Sequence, residues 1–269
     1  MTAPVRLAVL GDPLAYTLSP VLHRAGLAAL GLEGTSEALR TPRAEFGATL
    51  ARLETGGYIG VNLTHPLKEE ALAHLTHVTS SSTAARSVNT VHFASGGRSG
   101  TTTDGAGFVE WLGRIDVDPA RARVVLVGAG GVARSVALAL TAAGARVLAG
   151  ARNLERTLPA WTGLSAARLA RLGDPEFEAA FAEATLVVNA IPVTGAIGLS
   201  PKGVPMAATL VDLGYGSDVV EWVTAARTMG RPAHDGLGML IAQARGSFEV
   251  WFGAAPPFEV LARAVGWPR

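Results

Sequence analysis

The stretch that decides the fold comprises residues 124–137 and reads VVLVGAGGVARSVA. Its first four residues are apolar and mostly β-branched, which predicts a buried parallel strand. The glycines are followed by a helical pattern of apolar residues that ends at Gly144. A strand, a glycine turn and a helix in this order let backbone N–H groups approach a pyrophosphate at the helix N-terminus. We therefore expect a dinucleotide site, with a tight turn between packed elements as the alternative.

The next strand indicates which dinucleotide would bind. Residues 145–150, ARVLAG, end without the Asp or Glu that hydrogen-bonds the ribose 2′-hydroxyl in an NAD site. Arg152 and Arg156 follow instead, and a guanidinium suits a 2′-phosphate. The pattern predicts NADP as the cofactor, unless both side chains are solvated arginines in an arginine-rich chain.

Composition argues against several classes of function. The chain has 269 residues, enough for one large or two medium cores, and a net charge of +1 without a basic run, so we expect no nucleic-acid partner. Cysteine is absent, which excludes disulfides, thiolate catalysis and Cys-type zinc sites. The six histidines show no metal-ligand spacing, so we expect no metal. With no export signal or apolar membrane-spanning run evident, we expect a cytoplasmic protein without a membrane partner.

The N-terminal part of the chain alternates strands with helices. Strands are predicted at residues 5–11 and 36–40, and helices at residues 20–30 and 44–53. This alternation is typical of a parallel sheet. The hydroxyls of Thr17 and Ser19 precede the first helix, where capping that helix is the alternative to binding a ligand.

Residues 58–70, YIGVNLTHPLKEE, place polar groups at the end of a strand. Alternation puts Asn62 and Thr64 on one face at the carboxyl end, where open α/β sheets bind ligands. Pro66 suits a first helical position, which places Lys68 in the first turn, where a cation opposes the helix dipole. Lysine occurs only twice, against 21 arginines, so Lys68 is a candidate for proton exchange, which arginine cannot perform. An ordinary strand-end turn with a solvated lysine fits the spacing equally well.

The rest of the chain continues the α/β pattern. A short strand at residues 88–93 precedes Asp104, which taken alone fits the N-cap of the next helix. Further strands are predicted at residues 186–190 and 209–213, joined by a Gly- and Pro-rich loop at residues 191–205, and helices at residues 175–184, 219–228 and 258–265. Residues 236–239, GLGM, break the pattern before another helical region.

Several short motifs in this order resemble the shikimate dehydrogenase family over nearly the whole chain. They are Gly11-Asp12-Pro13 with Leu18-Ser19-Pro20, residues 60–68 (GVNLTHPLK), Val88-Asn89-Thr90, Thr103-Asp104-Gly105, Gly128-Ala129-Gly130-Gly131, and residues 236–240 (GLGML) with Gln243. The resemblance implies an α/β protein of two domains. The first is an α/β substrate domain with a mostly parallel sheet, residues 1–104 and 238–269, and the second is a Rossmann-type NADP-binding domain, residues 105–237.

The resemblance also implies roles for individual residues. Lys68 and Asp104 match the catalytic pair. Substrate contacts are implied for Ser19, Thr64, Asn89 and Gln243, with Thr17 and Tyr215 at neighbouring positions, and Asn62 joins these candidates through its position at the strand end. Cofactor contacts are implied for Gly128, Ala129, Gly130, Gly131, Val132, Ala133, Arg152, Arg156, Asn189, Ala190, Leu213 and Gly236. The implied reaction is reversible hydride transfer between C4 of the NADP nicotinamide and C3 of 3-dehydroshikimate, with a lysine ammonium supplying the proton.

The departures from the family pattern keep two alternatives open. Thr17 replaces the first serine of a Ser-x-Ser pair, so a quinate or quinate/shikimate dehydrogenase, or an amino-shikimate variant, remains an alternative. Ala151 replaces the asparagine that usually precedes Arg152. A non-catalytic NADP-binding sensor is the alternative of a different class, and the presence of both Lys68 and Asp104 argues against it. The expected partner is a small-molecule substrate, and the expected assembly is a monomer or homodimer.

Overall fold

The computed structural model describes residues 3–14, 16–191, 203–216 and 220–268. The chain divides into two compact units, Met1–Gly107 with Leu240–Arg269, and Phe108–Met239. Each unit contains a six-stranded sheet with helices, which confirms the predicted α/β class. None of the helices in the described part of the chain combines the length and the apolar character needed to cross a membrane.

The first unit contains a mixed sheet in which parallel pairs predominate. Its strands are β1 (Val5–Gly11), β2 (Gly34–Arg40), β3 (Gly60–Leu63), β4 (His77–Val78), β5 (Thr90–Ala94) and β6 (Gly97–Thr101). They lie in the order β2-β1-β3-β5-β6-β4. Strand β1 pairs in parallel with β2 and β3, and β4 with β6, whereas β5 is antiparallel to both of its neighbours.

Five helices lie between or after these strands along the chain, and the last of them continues into the second unit from Phe108. They are α1 (Ser19–Ala29), α2 (Phe46–Thr55), α3 (Leu67–Glu70), α4 (Ser80–Ala85) and α5 (Asp104–Arg114). Pro20 lies in the first turn of α1, where its fixed φ favours helix initiation. Buried apolar side chains of α2, including Phe46 and Leu50, pack with Val61 and Leu63 of β3 in one core. This packing fixes β3, whose carboxyl end carries the polar residues of interest.

The second unit has an entirely parallel sheet. Its strands are β7 (Arg123–Val127), β8 (Arg146–Ala151), β9 (Arg168–Arg171), β10 (Leu186–Asn189), β11 (Thr209–Asp212) and β12 (Ala233–His234). Their order is β12-β11-β10-β7-β8-β9, the doubly wound order of dinucleotide-binding sheets. The helices of this unit are α6 (Gly131–Ala142), α7 (Leu154–Thr157), α8 (Pro175–Glu183) and α9 (Val220–Thr228).

The C-terminal part of the chain adds two helices, α10 (Leu237–Phe252) and α11 (Phe258–Val265). From Leu240 onward, α10 belongs to the first unit. There Phe248 and Trp251 pack with Leu7 and Leu27 in a second apolar cluster. The indole Nε1 of Trp251 donates to the Val91 carbonyl oxygen at 3.0 Å, which joins α10 to strand β5.

The structure departs from the sequence predictions at several elements. Strands β4, β6 and β9 were not predicted, because they are short and lack a clear apolar alternation. Helix α3 begins at Leu67, so Pro66 precedes the helix instead of occupying its first position. Helix α10 begins at Leu237 and includes Gly238, where an added Cβ would overlap the indole of Trp111. Of the predicted loop at residues 191–205, residues 192–202 lie outside the described part of the chain.

Candidate active site

An ion pair between Lys68 and Asp104 is the centre of the polar cluster in the first unit. Lys68 lies in α3 and Asp104 is the first residue of α5. The Nζ of Lys68 donates to Asp104 Oδ2 at 2.7 Å, with the lysine side chain 15% exposed and the aspartate side chain 5% exposed. Helix α3 has only four residues and so a small dipole, which removes most of the expected conflict between a cation and the helix dipole. The carboxylate of Asp104 instead holds the ammonium in place.

Asn89 joins Asp104 to the C-terminal helix α10. Its Nδ2 donates to Asp104 Oδ1 and to Gln243 Oε1, each at 3.0 Å. Its Oδ1 accepts from the backbone N–H of Thr103 at 2.7 Å, which fixes the orientation of the amide. Gly107 lets α5 approach α10 closely, because an added Cβ would lie 2.6 Å from the backbone nitrogen of Gln243. Asn89 therefore brings three of the predicted site residues together through its hydrogen bonds.

Asn62 of β3 is buried beside Asn89 in the first unit. Its Nδ2 donates to the Asn89 carbonyl oxygen at 2.9 Å and to Ser247 Oγ at 2.9 Å. Its Oδ1 pairs with Nε2 of His23 at 2.8 Å. The sequence predicts Asn62 as a substrate contact, but in the structure its amide oxygen and nitrogen are both engaged by protein groups. Through its bond to the Asn89 carbonyl oxygen, Asn62 also holds the backbone of Asn89.

His23 is a fully buried member of the same network, and the resemblance assigned it no role. Burial lowers the pKa of His23 from 6.5 to about 4, although its hydrogen bond to Asn62 acts in the opposite direction. The imidazole also makes edge contacts with Phe248 and Trp251 of α10. His23 is therefore neutral near pH 7, with a hydrogen on only one ring nitrogen.

The partners determine which nitrogen carries that hydrogen. The Asn89 carbonyl only accepts, so the amide NH2 of Asn62 must face it, and Asn62 Oδ1 then faces His23. His23 Nε2 is consequently the donor. Its Nδ1 accepts from the hydroxyl of Ser36 at 2.7 Å.

These bonds include one series of donors that leads from Ser36 to Asp104. The two hydrogens of Asn62 Nδ2 are shared among three acceptors, namely the Asn89 carbonyl oxygen, Ser247 Oγ and, at 3.0 Å, Thr90 Oγ1. The Thr90 hydroxyl donates to Asn89 Oδ1 at 3.1 Å. The order of donors is Ser36, His23, Asn62, Thr90 and Asn89. Aligned hydrogen bonds of this kind polarise one another, so the series strengthens the bond that the Asp104 carboxylate accepts.

The three remaining hydroxyl residues lie near the ends of β1 and β3 or the start of α1. Thr17 Oγ1 accepts from the backbone N–H of Ser19 at 3.2 Å. The N-cap of α1 is Leu18, and among the described residues no side chain caps this helix, so the capping role that the sequence offered as the alternative is not observed. Ser19 is buried at the start of α1. Thr64 follows β3 and bonds through its backbone N–H to the Leu10 carbonyl oxygen at 2.9 Å. Parallel strands β1 and β3 bring this segment beside the end of β1.

The glycine turn of the second unit connects β7 to α6. Gly128 has a φ of +111°, a conformation that favours glycine and lets the chain turn directly after the strand. Gly130 is the N-cap of α6 and is exposed, and an added Cβ there would meet nothing within 4 Å. Ala129, Gly131 and Val132 are half-buried, whereas Ala133 is buried under the helix. The turn therefore presents open backbone at a helix N-terminus, as a phosphate site requires.

The predicted cofactor residues after β10 and β11 lie at the same edge of the sheet as the glycine turn. Asn189 ends β10 and Ala190 follows it, and the Ala190 N–H donates to the Val127 carbonyl oxygen at 2.8 Å. Leu213 follows β11, and its N–H donates to the Asn189 carbonyl oxygen at 2.8 Å. Because β7, β10 and β11 are adjacent parallel strands, their carboxyl ends meet.

Asp212 organises this edge and was not predicted from the sequence. Its Oδ2 accepts from Asn189 Nδ2 at 2.8 Å, and its Oδ1 accepts from the Gly214 N–H at 2.9 Å. Burial raises the pKa of Asp212, despite these two hydrogen bonds to its charged form. Gly236 packs against the same segment, since its N–H donates to the Gly214 carbonyl oxygen at 2.7 Å. Tyr215 is half-buried in this second unit, whereas the other predicted substrate contacts belong to the first.

The two predicted phosphate-binding arginines are exposed at the end of β8. Arg152 follows that strand, and Arg156 lies in α7, whose first turn is capped by Asn153 accepting from the Arg156 N–H at 2.9 Å. Glu155, the acid nearest to both in sequence, pairs with Arg171 at 2.8 Å. Within the described ranges, neither Arg152 nor Arg156 forms an ion pair, so both remain available to an anion.

Some residues that contact the polar cluster of the first unit or the glycine turn of the second unit belong to no sequence motif. Ser247 is 185 residues from Asn62 in the chain and follows no motif, and Trp161 lies 32 residues from the glycine turn that it contacts. His23, by contrast, stands four residues after Ser19 within the first motif region and could have been found there. Across the part of the chain that the structure describes, no three His, Asp or Glu side chains are grouped as metal ligands.

Comparison with known proteins identifies the family. A family model described as "Shikimate dehydrogenase substrate binding domain" matches residues 9–91, and one described as "Shikimate 5'-dehydrogenase C-terminal domain" matches residues 236–265. The shikimate dehydrogenase (NADP(+)) of Acidiphilium cryptum is 36% identical over 272 residues, which cover 98% of this chain and 97% of the relative.

Solved structures agree with these sequence matches. Shikimate 5-dehydrogenase from Thermus thermophilus in complex with shikimate has a TM-score of 0.87 and 35% identity, covering 97% of this chain and 98% of that one. The same enzyme in complex with NADP(H) and shikimate has a TM-score of 0.85 and 34% identity over the same shares of the two chains. The matches extend over nearly the full length of both chains, and the chain therefore belongs to the shikimate dehydrogenase family.

Proposed function

We propose that the protein is an NADP-dependent oxidoreductase that interconverts 3-dehydroshikimate and shikimate. The observation that carries the proposal is the 2.7 Å ion pair between Lys68 and Asp104, which lies within a polar cluster in a member of this family. The relatives that match at 36% identity, and the structure with NADP(H) and shikimate, support the same substrate and cofactor. A binding module would need a ligand pocket but no proton donor.

In the proposed mechanism, Lys68 supplies the proton. NADPH, when bound, provides a hydride to C3 of 3-dehydroshikimate, and the ketone oxygen then gains negative charge. The ammonium of Lys68 stabilises that charge and transfers a proton to the oxygen, which completes the alcohol. Asp104 holds the ammonium in place through the bond between Lys68 Nζ and Asp104 Oδ2. In the reverse direction, the neutral amine of Lys68 accepts the hydroxyl proton.

The neighbouring polar residues orient the substrate in this proposal. Asn89 and Gln243 share a hydrogen bond at 3.0 Å beside Asp104, and in the proposal they would exchange this bond for contacts with the substrate hydroxyls while the Asn89 amide keeps its orientation. Thr64, at the end of β3, would add a further hydroxyl contact. Thr17 and Ser19 would bind the substrate carboxylate, and Tyr215 would contribute from the second unit. Asn62 acts behind Asn89, because its own amide is engaged by protein groups.

We assign the substrate-binding role to the first unit and the NADP-binding role to the second. The residues present in the second unit fit the cofactor. The open backbone at Gly130 and the glycine conformation of Gly128 suit a pyrophosphate, and Arg152 and Arg156 suit the 2′-phosphate. NAD lacks that phosphate, so these arginines favour NADP.

The cellular context of the proposal rests on the sequence pattern and on the family resemblance. We place the reaction in the cytoplasm and in the biosynthesis of aromatic amino acids, with a monomer or homodimer as the active assembly. No metal takes part in the proposed chemistry.

The substrate and cofactor choice is tested by initial rates of oxidation of shikimate and of quinate, each with NADP and with NAD. The proposal expects the highest kcat/KM for shikimate with NADP. A comparable rate with quinate would support the sister activity that the methyl group of Thr17 leaves open, and a preference for NAD would contradict the role of the two arginines. Absence of turnover with either substrate would favour the non-catalytic sensor.

A further inference from the structure

Trp161 contacts the glycine turn from a segment that no motif includes. It follows α7 and a short 3₁₀ turn at residues 158–160, and it is only 5% exposed. Its indole Nε1 donates to the carbonyl oxygen of Ala129 at 3.1 Å. A buried tryptophan usually places its N–H against a partner, and here that partner is the backbone of the proposed phosphate-binding turn.

Holding the Ala129 carbonyl determines where the next N–H points. The peptide bond between Ala129 and Gly130 is trans and planar, so its carbonyl and its N–H point in opposite directions. The carbonyl of Ala129 faces the buried indole of Trp161, whereas Gly130 is exposed. The Gly130 N–H is thereby directed away from the protein interior, toward the side from which an anion would approach.

The guanidinium of Arg134 donates a second, longer hydrogen bond to the Ala129 carbonyl oxygen. One guanidinium nitrogen of Arg134 lies 3.3 Å from the Ala129 carbonyl oxygen, and the side chain is buried in the first turns of α6. A carbonyl oxygen has two lone pairs and accepts both bonds. The backbone N–H of Arg134 also donates to the Gly130 carbonyl oxygen at 3.0 Å, so the peptides on both sides of Gly130 are held.

We infer that Trp161 is a positioning residue for the cofactor, which orients the Ala129–Gly130 peptide so that the Gly130 N–H binds the pyrophosphate of NADP. This inference rests on the proposed function, because it assumes that the glycine turn binds NADP. Trp161 acts on the pyrophosphate and not on the adenosine 2′-phosphate, which Arg152 and Arg156 bind. It therefore contributes to one half of the cofactor site only.

The experiment uses Trp161→Phe, which keeps an aromatic ring and removes only the N–H donor and part of the ring area. Trp222→Phe is the matched control. Trp222 is also buried, 7% exposed, in the core of the same unit, and its indole nitrogen has no hydrogen-bond partner among the described residues. Dissociation constants are measured for wild type and both variants with NADP and with 2′-AMP, which carries the 2′-phosphate but no pyrophosphate.

The expected result is a split between the two ligands. In Trp161→Phe, Kd for NADP rises about three- to tenfold, the worth of one neutral hydrogen bond, while Kd for 2′-AMP stays within about twofold of wild type. Trp222→Phe changes neither constant. Unchanged NADP affinity in Trp161→Phe would overturn the inference, as would an equal loss for both ligands, which would indicate general damage to the unit. If wild type binds neither ligand, the proposal that NADP is the cofactor is contradicted, and the role inferred for Trp161 is contradicted with it.

Discussion

Lys68 and its partner Asp104 show how single residue types decide the proposed chemistry. Arginine at position 68 would preserve a positive charge, but it could not exchange a proton near neutral pH. The chain contains 21 arginines and only two lysines, so a lysine at this position is unusual for this sequence. The structure adds what composition does not, namely the carboxylate 2.7 Å away that holds the ammonium.

Asp104→Asn tests the role of that carboxylate. The change removes the negative charge that holds Lys68, and it leaves an oxygen at only one of the two positions that accept from Lys68 and Asn89, so one of these donors faces an NH2 group. A hydrogen bond to a charged group contributes about 1.5–3 kcal/mol, so we expect kcat for shikimate oxidation to fall roughly 10- to 100-fold. The measurement is steady-state kinetics at saturating NADP. Equal kcat values for variant and wild type would mean that Asp104 does not hold the ammonium during the reaction.

His23 is expected to make the free energy of unfolding depend on pH. Its folded-state pKa is about 4, below the 6.5 of an exposed histidine, so between these values the unfolded chain binds the proton more readily. This residue therefore removes about 3 kcal/mol from the free energy of unfolding as the pH falls from 7 to below 4. The charge of Arg24 acts in the same direction as burial.

His23→Gln is the variant that isolates this contribution. Glutamine offers both a donor for Asn62 and an acceptor for Ser36, and it does not titrate. Urea unfolding at pH 7 and pH 4.5 should show a smaller loss of stability in the variant than in wild type. The same loss in both proteins would mean that His23 takes up its proton in the folded state as readily as in the unfolded chain.

At the scale of secondary structure, the sequence predicted the elements that have a strong apolar pattern. Strand β1 was predicted at residues 5–11 and α11 at residues 258–265, and both are observed with these limits. The short strands β4 and β6 were missed, because their positions depend on pairing with neighbours and not on their own residues. The start of α10 was missed because Gly236 and Gly238 indicate a turn, although Gly238 serves close packing against Trp111.

The residues of the candidate site were likewise predicted in part. The motifs identify the individual site residues from the sequence. The ion pair between Lys68 and Asp104 and the hydrogen bonds of Asn89 are known only from the folded structure, which brings these residues together. Asn62 was predicted to touch substrate because alternation placed it at a strand end. Its interior partners Ser247 and His23 come from other elements, and no local pattern reveals such long-range contacts.

Cofactor choice is predicted to depend on Arg152, which follows β8, and on Arg156 in α7. Arg152→Ala and Arg156→Ala should each raise KM for NADP by about tenfold or more, because each removes a charge-assisted contact to the 2′-phosphate. KM for NAD should stay near its wild-type value. Arg146→Ala is the control, since Arg146 is an exposed arginine at the opposite end of β8. Equal changes in KM for the two cofactors would contradict the assignment.

At the scale of the whole molecule, the two compact units allow the two ligands to be followed separately. Ligand binding stabilises the segments that it contacts against opening. NADP should slow amide hydrogen exchange mainly at residues 128–134 and 152–156 of the second unit. Shikimate should slow it mainly at residues 62–68 and 89–91 of the first. Protection by shikimate confined to the second unit would contradict the roles assigned to the units.

The proposed role of Lys68 is tested most directly by the rate of NADPH formation from shikimate by wild type and by Lys68→Ala, measured side by side at saturating substrates. We expect turnover by wild type and a kcat lowered by roughly 10²- to 10⁴-fold in the variant, the usual contribution of a general acid or base. NADP binding to the variant, measured separately, should match wild type, since the glycine turn belongs to the second unit. An undiminished kcat in Lys68→Ala would contradict the central claim that Lys68 transfers the proton.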